Sequence, residues 1–190
     1  KLGFYAVADG MGGHAAGEVA SRVATDEIVR AFKDGPTDAD ETWPEHWDTD
    51  LSATANLIVD AIVSGHHRVT LAMNKDAELK GMGTTVVVAM FYDNRFTVAH
   101  VGDSRLYRLR DGELEQITRD HSLMQELIDR GFYTPEQARN SLNKNLVTRA
   151  IGIDSNVQID IQEDVAMVDD IYLLCSDGVT DMIEDHLIKS

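Results

Sequence analysis

The chain has 190 residues, 43% of them hydrophobic, which suits one well-buried domain and is short for two. Thirty-three Asp and Glu against 17 Lys and Arg give a formal charge of -16, which disfavours nucleic acid and anionic membrane as partners and favours cations. The single cysteine, Cys175, excludes a disulfide framework and a CxxC zinc pattern and fits a reducing, cytoplasmic setting, while no apolar stretch approaches the roughly 20 residues of a membrane span.

Residues 4–8 form a short apolar run that ends at Asp9. Gly10-Met11-Gly12-Gly13-His14 follows, and then Ala20, Val23, Ala24, Ile28 and Ala31 recur at helical spacing, so the segment reads as strand, glycine turn and helix. Asp34-Gly35-Pro36 stops that helix, and the polar, acidic stretch to Asp50, with Trp43-Pro44 and Trp47 inside it, reads as a surface loop. Leu51, Ala55, Ile58, Ala61, Ile62, Val69, Ala72 and Met73 mark a second, long amphipathic helix that ends before Lys80-Gly81.

The pattern then changes. The β-branched run 84–91, a turn at Asp93-Asn94, strands over 96–101 and 105–110, a turn at Asp111-Gly112 and a strand over 114–118 predict an antiparallel meander. Helices are grouped and strands are grouped, so the class is α+β. Residues 121–152 read as a small helical insertion, with one amphipathic piece closed by Gly131 and a second opened by Thr134-Pro135-Glu136. Strands over 158–162 and 171–175 and a helix beginning near Asp185 complete the chain. The seven methionines and the His66-His67 pair follow no ligand spacing and read as core and surface filler.

Three aspartates beside glycines lie where strands end: Asp9-Gly10, Gly102-Asp103 and Asp177-Gly178. Clustered carboxylates repel one another unless protonated or bound to a cation, and hard divalent ions take carboxylate and carbonyl oxygens. That pattern points to a metal-dependent hydrolase. The run Gly10-Met11-Gly12-Gly13-His14-Ala15 also satisfies the G-x-G-x-x-A form of a dinucleotide turn, but Asp9 would set a negative charge beside the pyrophosphate and no βαβ unit follows. The glycines instead free a carbonyl oxygen, that of Gly10, to turn toward a cation.

Ala8-Asp9-Gly10-Met11-Gly12-Gly13, Gly83-Thr84-Thr85, Val101-Gly102-Asp103-Ser104-Arg105, Asp120-His121-Ser122 and Cys175-Ser176-Asp177-Gly178 occur in an order and spacing that resembles the metal-dependent, type 2C (PPM) serine/threonine protein phosphatases, and their bacterial branch in particular. The resemblance runs from about Phe4 to Met182. It implies a four-layer α-β-β-α sandwich of two antiparallel sheets flanked by helices, with two Mn²⁺ or Mg²⁺ ions at one end. It implies that Asp9 bridges the ions, that the Gly10 carbonyl serves one, that Asp177 holds the other, and that Asp103 shares a third, weaker site with Asp177. His14 is the candidate proton donor to the leaving oxygen and Arg149 the candidate substrate contact, while Thr84, Thr85, Ser104 and Arg105 are support. Residues 121–152 resemble the flap beside the catalytic cleft.

The activity so implied is hydrolysis of phosphoserine and phosphothreonine in proteins by a metal-activated water, with a cognate Ser/Thr kinase as expected counterpart and a monomer as expected state. The alternative is a related domain that keeps the fold as a regulator or scaffold without turnover. Family members carry an Arg-x-x-Asn-Glu-Asp-type segment upstream of the first Asp-Gly and a Gly-x-x-Asp-Asn segment near the C-terminus, neither of which occurs in these 190 residues. The expectation is therefore a single catalytic domain over 1–190 that lacks an N-terminal strand and a C-terminal helix and strand.

Overall fold

Two tight turns organise the sheets. Strands β4 (Val86–Tyr92) and β5 (Arg95–Val101) are joined at Asp93-Asn94, and β6 (Arg105–Arg110) and β7 (Glu113–Gln116) at Asp111-Gly112. All four turn residues have positive φ, between 43° and 76°, the backbone that matches the twist of a two-residue hairpin. This computed structural model describes residues 3–34 and 44–189.

One sheet has the order β1-β4-β5-β8, with β1 (Gly3–Val7) and β8 (Asp160–Val165) at its edges, and the other the order β7-β6-β9, ending in β9 (Ile171–Cys175). Every pairing in both is antiparallel. Side chains alternate along β4. Val86, Val88 and Met90 face a core shared with the helices α1 (His14–Asp34) and α2 (Ala53–Lys75), whereas Val87 and Ala89 join Phe96, Val98 and Leu106 between the two sheets. A strand buried on both faces reads as an unbroken apolar run, as β4 does.

Helices α1 and α2 bury Ala20, Ala24, Ile28, Ile58 and Ile62 completely, and each fully buried aliphatic side chain of the size of Ile contributes roughly 1.5–3 kcal/mol. Ser52 caps α2 by accepting the Ala55 N–H at 3.1 Å. On the opposite side lie two short helices, α5 (Asp177–Thr180) and α6 (Asp185–Ile188), for which the labels α3 (Leu123–Asp129) and α4 (Pro135–Arg139) precede in the chain. Asp185 of α6 accepts the hydroxyl of the buried Tyr107 at 3.3 Å. The result is the α+β arrangement of two antiparallel sheets flanked by helices.

Several expectations need correction. The run 84–91 is not one strand: Gly83–Thr84 (β3) pairs with Gly10–Met11 (β2), Val86 onward pairs with β1 and β5, and Thr85 lies at the change of partner. The second helix does end before Lys80-Gly81, at Lys75, because Asp76 turns extended and its carboxylate accepts the Glu78 N–H to start a short 3₁₀ turn over Ala77–Leu79. The strand expected at 158–162 runs from Asp160 to Val165. Gly35, Pro36 and Trp43 lie outside the described residues, but Trp47 is buried and its indole N–H donates to Asp60 of α2 at 2.7 Å, so this part of the loop is anchored. His66 is not filler either: it is buried in α2 and its Nδ1 accepts the Gly152 N–H at 3.2 Å.

Candidate metal centre

Asp9 follows β1 and is held through its backbone. Its carbonyl accepts the Thr85 N–H and the Thr84 hydroxyl, both at 2.9 Å, and its N–H donates to Thr85 Oγ1 at 3.2 Å. Gly10 then runs against the first turns of α1. A Cβ on Gly10 would lie 1.9 Å from the carbonyl oxygen of Gly17, and one on Gly17 would lie 2.6 Å from that of Gly10, so the strand and helix meet here only because both residues lack a side chain.

Asp177 opens α5 at the end of β9, and the strand register, with Val7 opposite Val87, Val101 opposite Val86 and Cys175 opposite Arg105, brings it to the same end of the sheets as Asp9 and Asp103. Burial, followed by the negative charge of Asp9 beside it, raises its pKa above the ordinary aspartate value. Asp103 is 8% exposed, and burial followed by the negative charges of Asp177 and Asp120 pushes its pKa up to about 6. Acids from residues 9, 103 and 177 therefore converge at one end of the sandwich. Three carboxyl groups that bear on one another electrostatically are relieved by a proton or a cation, and this all-oxygen donor set fits hard divalent ions.

The turn that carries Asp103 is braced on both sides. Gly102 has φ 105°, and a Cβ there would fall 2.6 Å from Thr85 Cγ2, so only glycine fits. Ser104 Oγ lies 2.7 Å from Thr85 Oγ1. Arg105 grips Asp120 through Nε (2.9 Å) and Nη2 (2.6 Å), with Nη1 on the Tyr107 hydroxyl at 2.7 Å. Thr84, Thr85, Ser104 and Arg105 are thus the supports that the sequence suggested.

Two further residues were predicted, His14 and Arg149. His14 begins α1 directly after Gly12-Gly13, and its side chain lies outside the described part of the structure. Arg149 lines a cavity of about 550 Å³ together with Val101, Asp154 and Asn156, and its Nη1 donates to Asp160 Oδ1 at 2.9 Å.

The sequence reading missed a buried histidine pair. His100 and His121 stack with ring centroids 4.5 Å apart and an interplanar angle of 13°. Together with Asp160 they place three ligand-type atoms within 4.8 Å of one another. Hydrogen bonding argues against a second metal there: His121 Nδ1 accepts the Gly102 N–H at 3.1 Å, so the ring proton is on Nε2, the atom 3.2 Å from Asp160, and the Arg149 guanidinium lies 3.2 Å from that same nitrogen. Burial lowers the pKa of both histidines. The signal available in the sequence was the Asp120-His121 dipeptide, whose function only the fold reveals.

A sequence model described as Protein phosphatase 2C matches residues 2–188. The chain belongs to that family. Over 184 residues it is 40% identical to the serine/threonine protein phosphatase PstP of Mycobacterium tuberculosis, covering 96% of this chain and 33% of PstP, so it spans about a third of the length of that relative. It is also 40% identical over 179 residues to the serine/threonine phosphatase stp of Listeria monocytogenes, covering 94% and 67% of the two chains. Among solved structures of the family, the catalytic domain of PstP in complex with two manganese ions superposes with a TM-score of 0.80 at 36% identity, covering 99% of this chain and 75% of that one. None of the described helices is long and apolar enough to cross a membrane.

Proposed function

We propose that this chain carries the catalytic core of an enzyme that hydrolyses phosphoserine and phosphothreonine esters in proteins with the help of two Mn²⁺ or Mg²⁺ ions. The observation that carries the reading is the convergence of Asp9, Asp103 and Asp177 at the one end of the sheets where β1, β5 and β9 stop. Family membership and the manganese-bound PstP structure support it.

Asp9, the Gly10 carbonyl and Asp177 would hold the ions, and Asp103 with Asp177 would contribute to a third, weaker site. When bound, such ions lower the pKa of water and offset charge on phosphoryl oxygens during in-line displacement. The protein's own part is to keep three acids converged without letting them collapse onto solvent-facing rotamers. Thr84 and Thr85 fix the Asp9 backbone, and Gly102, Ser104 and Arg105 fix the Asp103 turn. His14 is the candidate donor of a proton to the departing serine or threonine oxygen, and Arg149 the candidate contact for the phosphoprotein. Residues 121–152, with α3 and α4, form the flap beside the cleft. A cognate Ser/Thr kinase, a cytoplasmic setting consistent with the free, buried Cys175, and a monomeric state complete the reading.

The test is hydrolysis of p-nitrophenyl phosphate and of a phosphothreonine peptide by the full-length protein, with Mn²⁺ added and with EDTA. Metal-dependent turnover that EDTA abolishes is expected. A folded protein that takes up Mn²⁺ yet turns over neither substrate would favour the regulator or scaffold role instead.

A further inference from the structure

We propose that His121 is the positioning residue of the Asp103 turn, acting through a two-sided grip on Gly102. This rests on the reading of Asp103 as a functional acid. His121 donates its backbone N–H to the Gly102 carbonyl at 2.9 Å and accepts the Gly102 N–H on Nδ1 at 3.1 Å. Both peptide units that flank Gly102 are thereby fixed by one residue, immediately before Asp103.

The neighbouring residue grips the other flank. Asp120 holds Arg105 through two nitrogens, so the dipeptide Asp120-His121 clamps the four-residue turn Gly102-Asp103-Ser104-Arg105 at its first and last members. Between them Asp103 has a pinned backbone, and its buried carboxyl feels the negative charges of Asp177 and Asp120.

The imidazole is suited to the role by its tautomer. Because Nδ1 accepts from an amide, a neutral ring carries its proton on Nε2, the atom that lies 3.2 Å from both an Asp160 carboxylate oxygen and the Arg149 guanidinium. Asp160 is in turn paired with Arg149 at 2.9 Å, and the ring face is covered by His100, whose Nε2 donates to the Arg119 carbonyl at 2.7 Å. Strand β8, the segment before α3 and the Arg149 loop thus converge on one ring atom. Groups that hold a metal-binding side chain in place from behind typically change metal affinity by about 10- to 100-fold when removed.

Two substitutions separate the two ring atoms. In His121→Asn the side-chain oxygen can occupy the place of Nδ1 and keep the Gly102 bond, whereas in His121→Gln the amide reaches the place of Nε2 and keeps only the Asp160 contact. The experiment measures, on the full chain, ¹⁵N spectra of the His121 ring, hydrogen exchange of the Gly102 amide, and Mn²⁺ binding by calorimetry. Expected are an unprotonated Nδ1 in the unmutated protein, slow Gly102 exchange in it and in His121→Asn, and exchange about tenfold faster or more in His121→Gln. Mn²⁺ affinity should follow the same order, with His121→Gln weakened about tenfold or more and His121→Asn largely restored. In activity assays the loss should fall more on the Mn²⁺ requirement than on turnover at saturating Mn²⁺.

A ring protonated on Nδ1, or Gly102 exchange and Mn²⁺ affinity in His121→Gln equal to those of the unmutated protein, would overturn the assignment. So would a His121→Asn variant as impaired as His121→Gln. An unmutated protein that takes up no Mn²⁺ would instead reject the metal reading, and the ring spectra and Gly102 exchange would still decide the grip.

Discussion

The Thr85 hydroxyl lies 2.7 Å from the Ser104 hydroxyl and accepts the Asp9 N–H at 3.2 Å. One oxygen at the gap between β3 and β4 therefore couples the strand end of Asp9 to the turn of Asp103, although the two aspartates are far apart in sequence. Thr85→Val keeps the side-chain shape and removes both bonds, leaving buried polar groups without a partner. It should lower unfolding stability by about 1–3 kcal/mol in urea titrations and raise the Mn²⁺ concentration needed for half-maximal activity. Unchanged stability would mean that water replaces the hydroxyl.

The Asp9 charge opposes ionisation of Asp177. Asp177→Asn removes one charge from the cluster, so in EDTA the variant should melt at or above the temperature of the unmutated protein, while its Mn²⁺-dependent turnover falls about 100-fold or more. A metal's stabilisation of the transition state is worth several kcal/mol, and each 1.4 kcal/mol or so is tenfold in rate. Asp9→Ala should lose nearly all activity and Asp103→Ala less. Differential scanning calorimetry beside a p-nitrophenyl phosphate assay checks both halves.

Acid stability should depend on a pair far from the cluster. Arg110 donates to both oxygens of Asp170, at 2.8 and 2.7 Å, and the Tyr172 hydroxyl and Met167 N–H add two further bonds to a carboxyl that is 2% exposed. The Arg110 hydrogen bonds lead in holding the Asp170 pKa below the ordinary carboxylate value. A depressed folded-state pKa stabilises the protein above the unfolded value of about 3.9 and loses that contribution as pH falls below it. Asp170→Asn should accordingly be less stable than the unmutated protein at pH 7, and the gap should narrow below about pH 4. Urea midpoints at pH 7 and pH 3 measure it.

The segment between α3 and Arg149 is tied to the helices after Asp177 by exposed contacts: Lys144 to Asp181 at 3.0 Å, Asn145 to Asp181 at 3.3 Å and Arg139 to Asp185 at 3.6 Å. Exposed ion pairs contribute roughly 0.2–1 kcal/mol each. The double variant Arg139→Ala, Lys144→Ala should leave the melting temperature nearly unchanged yet speed amide exchange over residues 135–147. Added salt should produce the same effect in the unmutated protein. Exchange mass spectrometry at low and high salt is the measurement, and identical protection in both proteins would show that apolar contacts hold the segment.

The order and character of most elements were legible in the chain because local chemistry dictates them. Asp-Asn and Asp-Gly turns, apolar alternation and a Thr-Pro-Glu helix start all act within a few residues, and the hairpins and α4 formed where they pointed. Recurrent Asp-Gly steps at strand ends likewise announced a cluster of acids, since a strand end is where a carboxylate escapes the sheet. What local chemistry cannot specify is which strand a segment pairs with, so the break at Thr85 was invisible in a run of uninterrupted β-branched and apolar residues. Nor can it specify the partners of a buried polar atom. His66, His121 and Trp47 carried no periodic signal, and their bonds to Gly152, Gly102 and Asp60 span 86, 19 and 13 residues. The sequence by itself determined the strands, the turns and the identity of the acids; only the packed sheets decided that the acids of residues 9, 103 and 177 share one end and that a histidine grips the turn between them, because convergence across long separations is a property of the three-dimensional core.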